Sequence, residues 1–303
     1  MKKKSLLLVL GCYMIWGVQP LYWALLDHMD AYFLMAARVL TGALFCLAYM
    51  AMQKRLPELI DLFRDGKRMK YLVPASLFLL ADWAIFLVAV QNGNVLDTSL
   101  GYFMGPLVVF SLSVFLFKEP CGALKAAAIG LSVLGVAVTL LTFGRFPPVA
   151  LVLALAFSIY GAIKKLVRVE PVLSITAETL ILTPPAIVYI LFFRMGENGV
   201  AALGGMDLLL LIGAGIVTVV PMILYSFGVN DLPLMMMGFF QYLSPSLSMI
   251  CGFLMGEHLS PDRTISFAFI WAALAVFSFA VVREERQKRL RARKVISDSE
   301  DLI

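Results

Sequence analysis

Apolar runs of about 20 residues recur along the whole of this 303-residue chain. Each is long enough to cross a ~30 Å hydrocarbon core as a helix. The candidate spans are 4–25, 31–52, 70–91, 97–117, 122–142, 148–165, 172–194, 206–227, 233–255 and 262–282. The runs are continuous, whereas barrel strands would read as ~10-residue alternating segments. Lipid cannot hydrate backbone groups, so a compact helical bundle is the consistent architecture. The hydrophobic fraction of 61% and charged fraction of 15% agree, since a soluble domain carries roughly a quarter charged residues. Connections are short except for 53–69 and the basic tail 283–303, which is expected to be cytoplasmic and disordered.

Charge orients the bundle. With the N-terminus inside, inner segments hold 21 Lys/Arg: Lys2 to Lys4, six between Lys54 and Lys70, then Lys118, Lys125, Lys164, Lys165, Arg168 and seven in the tail. The outer loops hold Arg145, Arg194 and Arg263. That asymmetry places both termini in the cytoplasm and makes a nucleic-acid partner unnecessary to explain the net charge of +5. The lysines before span 1 resemble a signal peptide, but the apolar run continues to residue 25, which suits an uncleaved first helix. Cys12, Cys46, Cys121 and Cys251 lie in or beside apolar segments without metal-ligand spacing, so they read as small apolar residues and no metal or cofactor is expected.

An internal repeat divides the chain. Gly101-Tyr102-Phe103-Met104-Gly105-Pro106 leads an apolar run to Glu119. About 139 positions later, Gly238-Phe239-Phe240-Gln241-Tyr242-Leu243-Ser244-Pro245 leads another to Glu257. Five spans per repeat, an odd number, turn the second unit upside down relative to the first. The fold class expected is therefore an all-α membrane protein of ten transmembrane helices arranged as two inverted five-helix repeats, at 1–143 and 144–282. Such repeats are a common basis for outward- and inward-facing states in secondary transporters.

Ionisable residues inside spans are costly and mark pathways or structural pairs. Arg38 lies ~10 Å from the outer end of span 2, and Glu178 lies 140 positions later at a similar depth from the inner face. Asp82 lies ~14 Å from the outer end of span 3 and could pair with Arg38. A carboxylate in a low-dielectric pocket can carry a proton, so Asp82 and Glu178 are candidates for proton coupling. Glu119 and Glu257 sit at helix junctions, where a carboxylate caps the N-terminus of the next helix. Pro106 and Pro245 each remove a backbone hydrogen bond within a span. Trp16, Trp83, Tyr102, Gln241 and Tyr242 gather near the midplane with Gln19, Tyr22 and Tyr160. Aromatics with a few aimed polar groups suit an organic ligand better than a bare ion, and Gln241-Tyr242 is the favoured contact pair.

Several segments resemble the RarD proteins of the EamA branch of the drug/metabolite transporter superfamily. They include Tyr13-Met14-Ile15-Trp16-Gly17, Ala37-Arg38-Val39, Asp82-Trp83, Ser99-Leu100-Gly101-Tyr102-Phe103, Glu178-Thr179, Gly238-Phe239-Phe240-Gln241-Tyr242 and Phe267-Ala268-Phe269-Ile270-Trp271. The resemblance covers about residues 5–282. It implies ten helices, a location in the bacterial cytoplasmic (inner) membrane, and carriage of small organic solutes. One departure is Asp82, where the family pattern has Asn.

The expected function is a secondary transporter of small organic metabolites or drugs, working by alternating access and driven by a proton or solute gradient. The alternative is a channel or passive facilitator. No G-x-x-x-x-G-K-[ST] or H-E-x-x-H sequence is present, so ATP hydrolysis by this chain and zinc proteolysis are not expected. The partners are a small organic solute and the lipid bilayer, with a homodimer left open.

Overall fold

A computed structural model describes residues 3–91, 95–143, 148–193, 204–254 and 261–300. All regular structure among them is helical. In chain order the helices are α1 Lys3–Trp23, α2 Ala31–Met52, α3 Leu56–Arg64, α4 Gly66–Gln91, α5 Val95–Phe115, α6 Ala123–Phe143, α7 Pro148–Val167, α8 Pro171–Phe193, α9 Gly205–Asp231, α10 Leu234–Gln241, α11 Leu243–Leu254 and α12 Pro261–Glu300. Among the described residues eight helices are long and apolar enough to cross a bilayer, and α5 contributes a shorter apolar segment. With α10 and α11 forming one broken span, each of the ten expected spans has its counterpart.

Three differences have local causes. The span expected at 233–255 is interrupted at Tyr242, because the ring of Pro245 opposes the carbonyl of Gln241 and offers no N–H to it. The connection 53–69 contains α3, nine residues long, opened by Pro57 in its first turn, where the missing N–H is no loss. The last helix does not stop at Val282 but runs to Glu300. The tail expected to be disordered holds five Arg, three Glu and two Lys, which all favour helix.

Packing follows the exchange of halves. Helix α7, the first span of the second half, packs between α4 and α5, while α1, its counterpart, packs against α9 and α11. The pairs α2–α8 and α6–α12 each join a helix to its own counterpart. The α2–α9 contact recurs as α4–α8. Side chains such as Leu141, Phe115 and Phe192 remain largely exposed on the outside, as lipid-facing residues should.

The tightest crossing joins α2 to α9. A Cβ on Gly215 would lie 2.4 Å from the backbone nitrogen of Gly42. Thr41 Oγ1 donates across the same contact to Leu211 O at 3.1 Å. Backbone cannot swing aside as a long side chain can. Gly215→Ala is therefore expected to force these helices apart, costing about 2 kcal/mol and lowering the thermal midpoint in detergent by about 5 °C. An unchanged midpoint would show that the α2–α9 approach is not a stability determinant.

Candidate functional site

Three polar constellations lie inside the bundle. The first is a small cavity at the seam between the halves. Its walls are Asp82 of α4, Gly101, Tyr102 and Gly105 of α5, Leu153, Ala154 and Phe157 of α7, and Gln241 of α10. The volume is about 10 Å³, room for about one water. Asp82 is 6% exposed and Gln241 8% exposed. Among the described residues, neither side chain has a hydrogen-bond partner. Gly105 leaves space for the amide, since a Cβ there would stand 2.9 Å from Gln241 Nε2. Tyr102 is 44% exposed and meets Phe86 at a ring separation of 5.9 Å.

Arg38 stands behind this cavity. Its guanidinium lies 4.4 Å from the ring centroid of Trp83 and 5.7 Å from that of Trp23. Nε is buried without a hydrogen-bond partner. Among the described residues no direct ion pair joins Arg38 to Asp82. The aromatic faces thus take the place of a carboxylate partner, as a ring quadrupole can for a desolvated cation. Asp82 is left facing the cavity.

The second constellation surrounds Glu178, and it is closed. Lys164 Nζ lies 2.5 Å from Glu178 Oε1 and donates to Ser174 Oγ at 3.0 Å. Ser174 Oγ donates to Glu178 Oε1 at 2.7 Å, and Tyr160 OH to Glu178 Oε2 at 2.9 Å. Lys164 is 3% and Glu178 1% exposed. Every partner belongs to the α7–α8 hairpin. Lys164, assigned to the inner charged flank from sequence, is therefore a buried ion-pair residue of α7. The signal was present: Lys164 and Glu178 stand equally far from Pro171, so an antiparallel hairpin brings them to one depth. Moving one lysine from the inner tally leaves the charge asymmetry intact.

Arg38 and Glu178, repeat mates expected at similar depths from opposite faces, lie in separate contacts within separate halves. Tyr242 also departs from the expected pair with Gln241. It is fully buried and donates to Phe103 O at 3.3 Å, tying the α10–α11 junction to α5 instead of lining the cavity. Trp16 packs edge-on against Tyr13 and Phe157 and at a tilt against Tyr225, with centroids 5.4–5.8 Å away. It touches the cavity only through Phe157.

The third constellation closes the face that carries the N-terminus. Glu119 accepts from the backbone N–H groups of Leu234 at 2.5 Å and Met235 at 2.8 Å. It caps α10 of the other half, not the helix that follows it. Lys165 Nζ donates to Leu232 O at 2.5 Å and stands 3.8 Å from Glu119 Oε1. Ser5 hydrogen-bonds Asp231 nearby. Glu257 lies outside the described residues. Cys12 and Cys46 are buried as expected, whereas Cys121 is exposed.

Comparison with known proteins places this geometry among transporters. Residues 3–141 match the model of the EamA-like transporter family. An uncharacterized transporter of Pseudomonas aeruginosa is 36% identical, covering 94% of this chain and 96% of its own. Protein RarD of Escherichia coli is 33% identical over 94% of this chain and 97% of its own. A solved crystal structure with 18% identity superposes with a TM-score of 0.73, covering 94% of this chain and all of that one, and so shares the fold.

Proposed function

Because the chain belongs to the EamA-like transporter family and is a multi-pass membrane protein, we propose that it is a secondary transporter of small organic solutes that works by alternating access at the seam cavity. The observation that carries this reading is the meeting of Asp82 and Gln241, contributed by opposite halves and each mostly buried, in one seam cavity without hydrogen-bond partners among the described residues. Polar groups left unmatched in a membrane interior are costly, and a site that binds an organic solute has reason to keep them.

In this proposal Asp82 and Gln241 contact the cargo, and Tyr102 and Phe157 form its apolar walls. Arg38, held on Trp83, sets the field at Asp82. The cavity is too small for an organic molecule, so in this proposal cargo binds only when the seam widens at one face. Asp82 is the carboxylate placed to exchange a proton with cargo, and Glu178 serves as a staple of the second half. The membrane is the bacterial inner membrane, with both termini cytoplasmic and a proton or solute gradient as the energy source.

Thermal-shift screening against a metabolite library at two pH values tests the site. A ligand that stabilises the parent protein should lose at least tenfold in affinity with Gln241→Leu or Asp82→Asn, because each variant removes a charged or hydrogen-bonding partner worth about 1.5 kcal/mol or more. Retained affinity in both variants would move the site elsewhere. Counterflow in proteoliposomes then separates carrier from facilitator: only a carrier accumulates labelled solute against excess unlabelled solute.

A further inference from the structure

Helix α3 carries two apolar faces, and only one is buried in protein. Leu59 and Leu62 are buried against Met50, Leu72, Val169, Leu173 and Ala177. These neighbours lie near the ends of α2, α4 and α8, so α3 sits at the level where those spans leave the membrane. Leu56, Ile60 and Phe63 form a second stripe at i, i+4 and i+7, and they are 38%, 52% and 40% exposed. At 100° per residue this stripe adjoins the buried one, Arg64 borders its outer edge, and Asp61 and Glu58 fall on the remaining face.

The charges sort in the same way. Arg55 is engaged by Glu58 at 2.7 Å and Glu170 at 3.3 Å, and Arg68 by Asp65 at 3.3 Å. Lys54, Arg64 and Lys67 are exposed and, among the described residues, have no ion pair. Lys70, also exposed, has its ammonium 4.9 Å from the ring centroid of Tyr71. An apolar stripe bordered by Arg64, with Glu58 and Asp61 on the opposite face and exposed lysines in the flanking segments, is the pattern of a helix lying in a lipid interface.

We propose that α3 is a binding site for anionic phospholipid, with Leu56, Ile60 and Phe63 inserted among the acyl chains and Lys54, Arg64, Lys67 and Lys70 on the headgroup phosphates. The occupant is a lipid surface because the stripe lies at the ends of three spans, where lipid must already reach. Helix α3 also bridges the halves, through Leu59 and Leu62 to α8 and through Arg55 to Glu170. Anionic lipid at α3 therefore acts on a contact that must move during any exchange of the two halves. This surface is separate from the seam cavity and stands or falls without it.

The test uses the full chain with Cys12→Ala, Cys46→Ala, Cys121→Ser, Cys251→Ser and Phe63→Cys, labelled at position 63 with an environment-sensitive fluorophore. The protein is reconstituted in phosphatidylcholine vesicles containing a matched fraction of brominated phosphatidylglycerol or brominated phosphatidylcholine. Brominated phosphatidylglycerol should quench about twice as strongly, because each basic residue near the surface favours an anionic headgroup. The excess should disappear in ~0.5 M NaCl, where the Debye length falls to a few ångströms. It should also disappear in Lys54→Gln/Arg64→Gln/Lys67→Gln/Lys70→Gln. Equal quenching by the two lipids in the parent protein overturns the preference for anionic headgroups. Absence of quenching by either overturns insertion altogether.

Discussion

Lys164→Met should lower the thermal midpoint of the detergent-solubilised protein by about 10 °C, while Lys164→Met combined with Glu178→Leu should recover most of that loss. The lysine satisfies a carboxylate that is 1% exposed and already receives hydrogen bonds from Tyr160 and Ser174. Removing the cation leaves an uncompensated buried charge, a change that costs about 3–5 kcal/mol. In a chain of this length that converts to roughly 2–4 °C per kcal/mol. Replacing both charges removes the desolvation problem together with the pair, and such replacements are often close to neutral. The cycle also separates a staple from a coupling site. If the double variant regained stability but lost all response of transport to a proton gradient, Glu178 would return as a coupling residue and the assignment to Asp82 would fail.

The parts of the molecule that were legible in sequence share one property: lipid enforces them locally. Ten spans could be read because each must be continuously apolar, but the break in span nine could not, since Pro74, Pro106 and Pro221 lie inside unbroken helices. Depth was legible too, which is why Arg38 and Asp82 were placed at one level. Direction was not. Gln241 and Tyr242 are consecutive, yet on a helix they point about 100° apart, so one lines the cavity and the other packs into the core. Nor does depth reveal that Arg38 rests on Trp83 and Trp23 instead of on a carboxylate. Helix α3 escaped notice because its apolar residues are interleaved with charge and its run is too short to cross a bilayer. The reach of Glu119 was opaque for another reason. A cap was expected at the adjoining helix, but the acceptor found the unsatisfied N–H groups of a helix 115 positions away, a pairing made only when the two halves meet.

That pairing makes Glu119→Ala the variant expected to change conformation most. Its carboxylate satisfies two of the orphan N–H groups at the start of α10 and lies against the positive end of that helix. It also faces Lys165, whose ammonium holds the last carbonyls at the end of α9. The contacts join the segment after α5 to α9 and α10 of the second half, so in the proposed alternating-access cycle an opening of this face breaks them. Losing the charge-assisted bonds removes about 2 kcal/mol from the closed side of that equilibrium, which raises the open population roughly thirty-fold. Cys12 reports the change. It is fully buried on α1, where α1 packs against α9, and a buried thiol is alkylated only while its cover is away. In a Cys46→Ser/Cys121→Ser/Cys251→Ser background, maleimide labelling of Cys12 should therefore accelerate by about tenfold or more in Glu119→Ala, when opening is fast relative to alkylation. Lys165→Met should give a smaller acceleration, because the backbone bonds to Glu119 survive it. A labelling rate unchanged by Glu119→Ala would mean that the closed face is held by its apolar contacts, and that the carboxylate on α10 is a helix cap with no part in gating.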